Sequence, residues 1–287
     1  MDLPLPARLR VGIVGAGRVG AVLGAALSRA GHSVVAATGV SDASRDRAAR
    51  LLPGVPLLPA DDVARGCDLL LLAVPDDALP ALVAGLATTG AVRPGQLVVH
   101  TSGRYGVAVL DPAARLGALP LALHPVLPFS GTGLDLARLA GASFGVTAPE
   151  ALRPVGEALV LEMGGEPVGV DEALRPLWHA ALAHGANHLV TLVASVADLL
   201  REAGAQDPGA VLGPLLQAAL DGALSGGDAA LTGPVSRGDA GTVAAHLAVL
   251  PDAVRPAYTA LARLTADRAL AVGRLRADQA ADLLEVL

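Results

Sequence analysis

Residues 11–20 read Val-Gly-Ile-Val-Gly-Ala-Gly-Arg-Val-Gly. A short apolar run breaks into three glycines spaced G-x-G-x-x-G and passes straight into a stretch of small and apolar residues that ends at Gly31. Few folds accommodate that punctuation. Gly15 permits a tight turn out of a strand, Gly17 lets the backbone approach a ligand, and Gly20 lets the following helix pack closely on the sheet. The helix N-terminus then offers unpaired N–H groups and partial positive charge to an anion. The spacing is weak alone. Placed between a strand (Arg10 to Val14) and a helix (Arg18 to Ala30), with a second strand at Ser33 to Thr38, it reads as a dinucleotide-binding loop. Gly15, Gly17, Arg18, Val19 and Gly20 are the candidate cofactor contacts. The alternative is the same glycine turn in a domain that has lost its ligand.

The alternation continues. Apolar runs at 68–74, 97–100, 119–124, 143–147 and 166–170 are short enough for strands buried on both faces. Helical patterns lie between them at 44–52, 79–87, 107–116 and 152–163, with residues 53–59 as loop or short strand. This βαβ rhythm predicts an α/β fold, a doubly wound, mostly parallel sheet. After Val170 no strand pattern remains. Residues 171–202 form one long helical pattern, and further helices run to Leu287. The expected organisation is a nucleotide-binding domain over 1–170 and an all-α domain over 171–287.

Ligands of such sheets sit beyond the carboxyl ends of the strands. The second strand ends in Thr38-Gly39-Val40-Ser41, without the acid that usually receives a ribose 2′-hydroxyl. Ser41, Ser44, Arg45 and Arg47 offer groups for a 2′-phosphate instead, so NADP(H) is expected over NAD(H). The serines serve equally as helix caps in a solvated loop. Val74 and Pro75, at the third strand end, are expected to line the adenosine or ribose, or simply to form a turn. Thr101, Ser102 and Gly103 follow the fourth, where hydroxyls suit a carboxylate, a carbonyl or the nicotinamide amide; Ser102 alone is as well explained by a helix N-cap before Val107. His124-Pro125 ends the fifth, where a structural hydrogen bond competes with a catalytic part.

In the long helix, residues three and four apart share a face. His184, Asn187, His188 and Thr191 then make one polar stripe on an otherwise apolar helix, and His179 points elsewhere. A buried polar stripe needs partners, which a cofactor–substrate cleft would supply; histidines satisfied inside a helical bundle are the competing reading. Zinc is disfavoured, because Gly185 follows His184 where H-E-x-x-H needs Glu. Arg237, in the turn Gly233 to Asp239, is a candidate for a substrate carboxylate, and Asp239 for a helix N-cap.

Taken together, the 15–20 loop, His100-Thr101-Ser102-Gly103, Leu123-His124-Pro125, the segment 179–188 and the turn 233–239 resemble the two-domain Rossmann-like proteins whose helical C-terminal domain is of unknown function. That group is similar to the 6-phosphogluconate dehydrogenase-like enzymes, which include ketopantoate reductase and pyrroline-5-carboxylate reductase; some of its relatives are linked to pantothenate synthesis. The resemblance implies an NADP-dependent reductase. A small 2-oxo acid is the expected substrate, with Ser102, Gly103, His188 and Arg237 as its contacts. The usual ketopantoate reductases carry a catalytic lysine on the first long helix of the second domain, with an asparagine on the same face. Here Asn187 is present and the lysine is missing, so His184 first and His124 second are expected to donate the proton. Reduction of an imine, or cofactor binding without chemistry, are the alternatives.

Composition narrows the rest. All 21 basic residues are arginine, which excludes Schiff-base chemistry and any lysine acid. Net charge is -6 with no basic block, so no nucleic-acid partner is expected. The single cysteine, Cys67, precludes an internal disulfide and fits a reducing, cytoplasmic setting. Met1 to Arg10 has no apolar signal core. The run at 68–74 falls far short of the ~20 apolar residues a bilayer span needs. Residues 180–200 are apolar and longer, but with His184, Asn187, His188 and Asp198 among them they are read as a buried helix of a soluble protein. The apolar content of 171–287 is compatible with a homodimer.

Overall fold

A computed structural model describes residues 8–287; the reading of residues 1–7 as lacking a targeting segment lies outside the described residues. Seven strands form one sheet in the order β2-β1-β3-β4-β5-β6-β7. They are β1 (Arg10–Val14), β2 (Ser33–Ala37), β3 (Leu69–Leu72), β4 (Leu97–His100), β5 (Leu119–Pro125), β6 (Ser143–Thr147) and β7 (Glu166–Gly169). The first five are mutually parallel, β6 runs antiparallel to β5, and β7 is parallel to β6. The order reverses between β1 and β3, which is where open α/β sheets place their ligands.

Side chains alternate across a strand, and the apolar runs divide accordingly. Val11, Ile13, Leu69, Leu71, Leu97, Val99, Leu121 and Leu123 face α1 (Arg18–Arg29), the end of α2 (Asp42–Leu51) and α7 (Arg153–Glu162). Leu70, Leu72 and Val98 face the other way, onto α3 (Ala60–Arg65), α4 (Leu79–Thr88) and α5 (Asp111–Ala114). Two details differ from expectation. The segment 107–116 is a 3₁₀ turn, Val107–Leu110, followed by the short α5, because Pro112 has no N–H to continue a helix begun earlier. The link from β5 to β6 holds only the five-residue α6 (Leu134–Arg138). It lacks the full crossover helix that usually returns a parallel strand, and β6 comes back antiparallel.

The chain divides into two compact units, residues 1–186 and 187–287. The strand rhythm ends at Gly169, but the first unit extends through α8 (Arg175–Leu182), whose Arg175 and Trp178 are hydrogen-bonded to the sheet's loops. The second unit contains α9 (His188–Glu202), α10 (Pro208–Gly226), α11 (Pro234–Arg237), α12 (Ala240–Val249), α13 (Arg255–Ala271) and α14 (Ala277–Val286). Its core is built from Val235, Val243, Ala262, Ala266, Ala269, Leu275 and Leu283.

The expectation of a buried apolar helix at 180–200 does not hold. No residue of α9 is buried, and Val190 is 70% exposed. The 31-residue helical segment Glu172–Glu202 is long and apolar enough to cross a membrane by length and composition alone. Among the described residues, Leu177, Leu189 and Leu192 of this segment are exposed as well, and Leu215 and Leu224 of α10 share that exposure.

Candidate active site

The glycine loop has the geometry its sequence demands. Gly15 has φ +100°, and a Cβ there would lie 2.5 Å from the Ala73 carbonyl oxygen. Its N–H donates to Thr38 Oγ1 at 2.8 Å, which ties the loop to the end of β2. A Cβ on Gly20 would fall 2.1 Å from the Gly15 carbonyl oxygen, so α1 reaches its seat only with glycine at that position. Gly17 is the N-cap of α1. No side chain caps the helix, its first turn holds no acid, and space is open where a Gly17 side chain would project. An uncapped helix start beside open space is what a dinucleotide pyrophosphate requires, so the residues present fit that group.

At the end of β2 the serines act as caps. Ser41 Oγ accepts from the Ser44 N–H at 3.2 Å, and Ser44 Oγ from the Ser41 N–H at 3.0 Å, a reciprocal capping box on α2. The Arg45 guanidinium donates to the Val40 carbonyl at 2.7 Å and to Asp42 at 2.5 Å. Ser41 and Arg45 therefore lie where a 2′-phosphate is expected, but already serve the loop. Val74 is half-buried and Pro75 exposed at the end of β3, with the Pro75 carbonyl closing a turn onto Ala78.

The loop after β4 is tied down by its own histidine. His100 is fully buried. Its Nδ1 accepts from the Ser102 N–H at 3.2 Å, and its Nε2 donates to the Gly106 carbonyl at 2.9 Å. Burial, above all, pushes its pKa down to about 4, so it stays neutral and structural. Thr101 is half-buried and held through its N–H to Leu72. Ser102 Oγ accepts from the N–H groups of Arg104 and Tyr105. It closes a turn, and the cap at Val107 is Gly106 rather than Ser102. Gly103 is wedged between two imidazoles: a Cβ there would lie 2.7 Å from both His124 Nε2 and His179 Cδ2.

His124 is set by α8. The indole N–H of Trp178 donates to His124 Nδ1 at 3.2 Å, so the neutral ring carries its proton on Nε2, beside Gly103. The His179 ring meets His124 edge-on, with centroids 5.9 Å apart at 90°. Burial first, then the Arg175 charge and His179, push the His124 pKa down to about 4. At pH 7 only about one ring in a thousand would be charged. His124 is thus a hydrogen-bond donor more than a source of protons.

Arg175 underlies this arrangement. It is fully buried and donates to three carbonyls from three segments: Tyr105 at 2.9 Å, Gly145 at 3.0 Å and Ser102 at 3.0 Å. Burial lowers its own pKa to about 10, which leaves it charged. Glu172 accepts from the N–H groups of Val107 and Ala108 at 2.7 and 3.1 Å. The face of α8 that does this carries Arg175, Trp178 and His179, spaced i, i+3 and i+4. His179, expected to point away from the His184 stripe, lies on this face.

Ser102, Gly103 and His124 are therefore brought together within the first unit. The other sequence candidates are placed differently. Residues Ala183–Asn187 form a π-helical turn, whose i→i+5 bonding inserts an extra residue. The single α-helical stripe expected for His184, Asn187, His188 and Thr191 is broken there. His184 is exposed in that turn, as are Asn187 and His188 at the start of the second unit. Arg237 is exposed at the end of α11, and its carbonyl accepts from Gln279. Asp239 caps α12 through the Thr242 N–H at 3.0 Å. Among the described residues, no group of three or more His, Cys, Asp or Glu is gathered in a way that could hold a metal ion.

Residues 3–125 match the Rossmann-like domain family. Residues 142–265 match a domain of unknown function, DUF2520. The two matched segments follow one another along the chain, with residues 126–141 between them. Solved structures with this fold include a Bacteroides fragilis protein assigned as an NADP oxidoreductase, at 22% identity, TM-score 0.76, covering 91% of this chain and 98% of that one. A ketol-acid reductoisomerase from an uncultured archaeon aligns at 16% identity and TM-score 0.62, over 92% and 84% of the two chains. A Plasmodium falciparum pyrroline carboxylate reductase with NADP bound aligns at 11% identity and TM-score 0.56, over 96% and 98%. No curated protein matches the sequence.

Proposed function

We propose that this Rossmann–DUF2520 chain is an NADP(H)-dependent reductase of a small 2-oxo acid, with ketopantoate as the first substrate to test. The observation that carries it is the pairing, in one unit, of an uncapped, acid-free helix start at Gly17 with a fixed imidazole N–H at the carboxyl end of β5, on the same edge of the parallel sheet. The oxidoreductases that share the fold support the same class.

The nicotinamide cofactor would be held by the 15–20 loop and supplies a hydride when bound. The chain's own residues do the rest. His124 Nε2–H donates a hydrogen bond to the substrate oxygen as negative charge grows there, a stabilisation that costs no reorganisation because Trp178 fixes the ring. His179 stands beside it as the proposed proton donor, and His184 is the donor expected from the sequence. Asn187, His188 and Arg237, expected from the sequence, stay proposed substrate contacts. Arg175, a buried cation whose bonds go to carbonyls, favours an anionic substrate such as a carboxylate.

A screen of NADPH oxidation against ketopantoate and other 2-oxo acids tests the reading. The depressed pKa of His124 favours one second reading: an iminium needs no acid toward oxygen, so cyclic imines belong in the same screen. Tight NADPH binding without turnover on any of these would mark a non-catalytic cofactor-binding protein. The exposed apolar residues of α9 and α10 support a homodimer through the helical unit. The buried Cys67 thiol, pushed up to about 11 by burial, is consistent with a cytoplasmic protein that uses no disulfide.

A further inference from the structure

We infer that Arg47, acting with Arg18, clamps the pyrophosphate of the dinucleotide from the flank of α1, and that it contributes equally to NADPH and NADH binding. This rests on the dinucleotide reading above. Three observations converge on it. First, Arg47 Nε is buried and has no hydrogen-bond partner, so the chain leaves this guanidinium's hydrogen-bonding capacity partly unused. Second, the two arginines pack on one residue. A Cβ on Gly131 would lie 2.4 Å from Arg47 Nε and 2.8 Å from Arg18 Cγ, so the two basic side chains converge on a glycine that leaves them room. Third, neither forms an ion pair among the described residues, although arginine–aspartate pairs are frequent elsewhere in the chain.

The acid closest in sequence to Gly131 is already occupied. Asp135 is fully buried and accepts from the Gly131 N–H at 2.7 Å and the Ser130 hydroxyl at 2.9 Å. Its remaining charge faces Arg138 at 3.7 Å. It shapes the 130–132 turn and pairs with neither Arg18 nor Arg47. Arg18 is also the first residue of α1. Two like charges are thus gathered beside an uncapped helix N-terminus, an arrangement that an anion relieves. Arg45 differs: its exposed guanidinium is held at the end of β2 by Gly39, Val40 and Asp42, surface bonds weak enough for a 2′-phosphate to displace. The 2′-phosphate and the pyrophosphate would then be read by different arginines of the same helix.

The test is equilibrium binding of NADPH, NADH, ADP-ribose and inorganic pyrophosphate to the full-length protein, by calorimetry, with no turnover needed. Arg47→Met should weaken NADPH, NADH and ADP-ribose by a similar factor, roughly 10- to 100-fold. Arg47→Lys should restore part of the loss, because lysine still holds phosphate as a point charge. Arg45→Gln should weaken NADPH alone. Thermal melting of each variant separates lost binding from lost folding. Undiminished binding by a folded Arg47→Met protein would overturn the inference, and so would a loss confined to NADPH, which would make Arg47 the 2′-phosphate reader. If the wild-type protein binds no dinucleotide, the cofactor reading fails; pyrophosphate binding that Arg47→Met abolishes would then still uphold the clamp, and its absence would sink both.

Discussion

Acidification should unfold this protein through two histidines before its carboxylates contribute. His100 and His124 both have native pKa values pushed down to about 4 from an ordinary 6.5, chiefly by burial. The unfolded chain therefore binds two protons between pH 6.5 and about 4 that the native state refuses. Stability is fully present above 6.5 and falls as pH drops through that window, by up to ~1.4 kcal/mol per pH unit for each histidine. At pH 5 each would cost about 2 kcal/mol, or about 4 together, a large share of the 5–15 kcal/mol typical of a folded domain. The geometry explains why the native state resists. A proton on His100 Nδ1 would displace the Ser102 N–H, and one on His124 Nδ1 would oppose the Trp178 indole N–H. Urea unfolding at half-unit pH steps from 7.5 to 4.5 measures the slope. His100→Gln and His124→Gln should each remove about half of it, whatever they do to stability at pH 7.5. Asp68 and Asp135, whose pKa values are lowered, add their own loss only below the ordinary carboxylate range. A stability flat between pH 6.5 and 5, or a slope unchanged in both variants, would refute the assignment of these rings as neutral.

Four further outcomes follow from the same geometry. Gly20→Ala should destabilise the fold by roughly 1–3 kcal/mol and abolish NADPH binding, since its Cβ meets the Gly15 carbonyl at 2.1 Å; Gly17→Ala, in open space, should melt like wild type and still bind NADPH more weakly. Gly103→Ala should lose turnover with NADPH affinity retained, because the added methyl strikes both His124 and His179; equal turnover would remove this loop from the site. Arg175→Met strands three buried carbonyls and should cost about 3 kcal/mol or more, and in whatever remains folded the His124 pKa, read by NMR, should rise. Light scattering in detergent-free buffer should give twice the protomer mass, and Val190→Glu with Leu224→Glu should give monomers; a protein soluble only with detergent would instead point to a membrane-seated helix.

The strands were legible because their cause is local. Each is a short apolar run bounded by turn residues, and burial on both faces of a parallel sheet makes the run continuous. The short helices were harder. Helix α3 has six residues, too few for a helical periodicity to show, although Asp61 and Asp62 in its first turn and Gly66 after its last mark its ends. The reversal of β6 has no composition signature, since direction is set by the length and kind of the connection. The glycine loop was fully readable, because each glycine answers a steric demand of the backbone. The α8 face was not. Arg175, Trp178 and His179 share one side by spacing, but nothing in the sequence says that a lone arginine will be buried against carbonyls.

On the reductase reading proposed above, the buried Arg175 takes over part of the missing lysine's work. A lysine beside the substrate oxygen supplies two things, a positive field and a transferable proton. In this chain the two are separated. Arg175 supplies the field from a fixed, buried position and cannot give up its proton at neutral pH. The same field, with burial, keeps His124 neutral, which makes that ring a hydrogen-bond donor and disqualifies it as the acid. The proton must then come from another group, and His179, edge-on to His124 at 5.9 Å, is the residue the geometry offers. His179→Gln should therefore remove most of kcat while leaving KM for the oxo acid nearly unchanged, whereas His124→Gln, whose amide can still donate a hydrogen bond, should keep a larger share of it. The reverse pattern would return the proton to His124 and undo the division of labour.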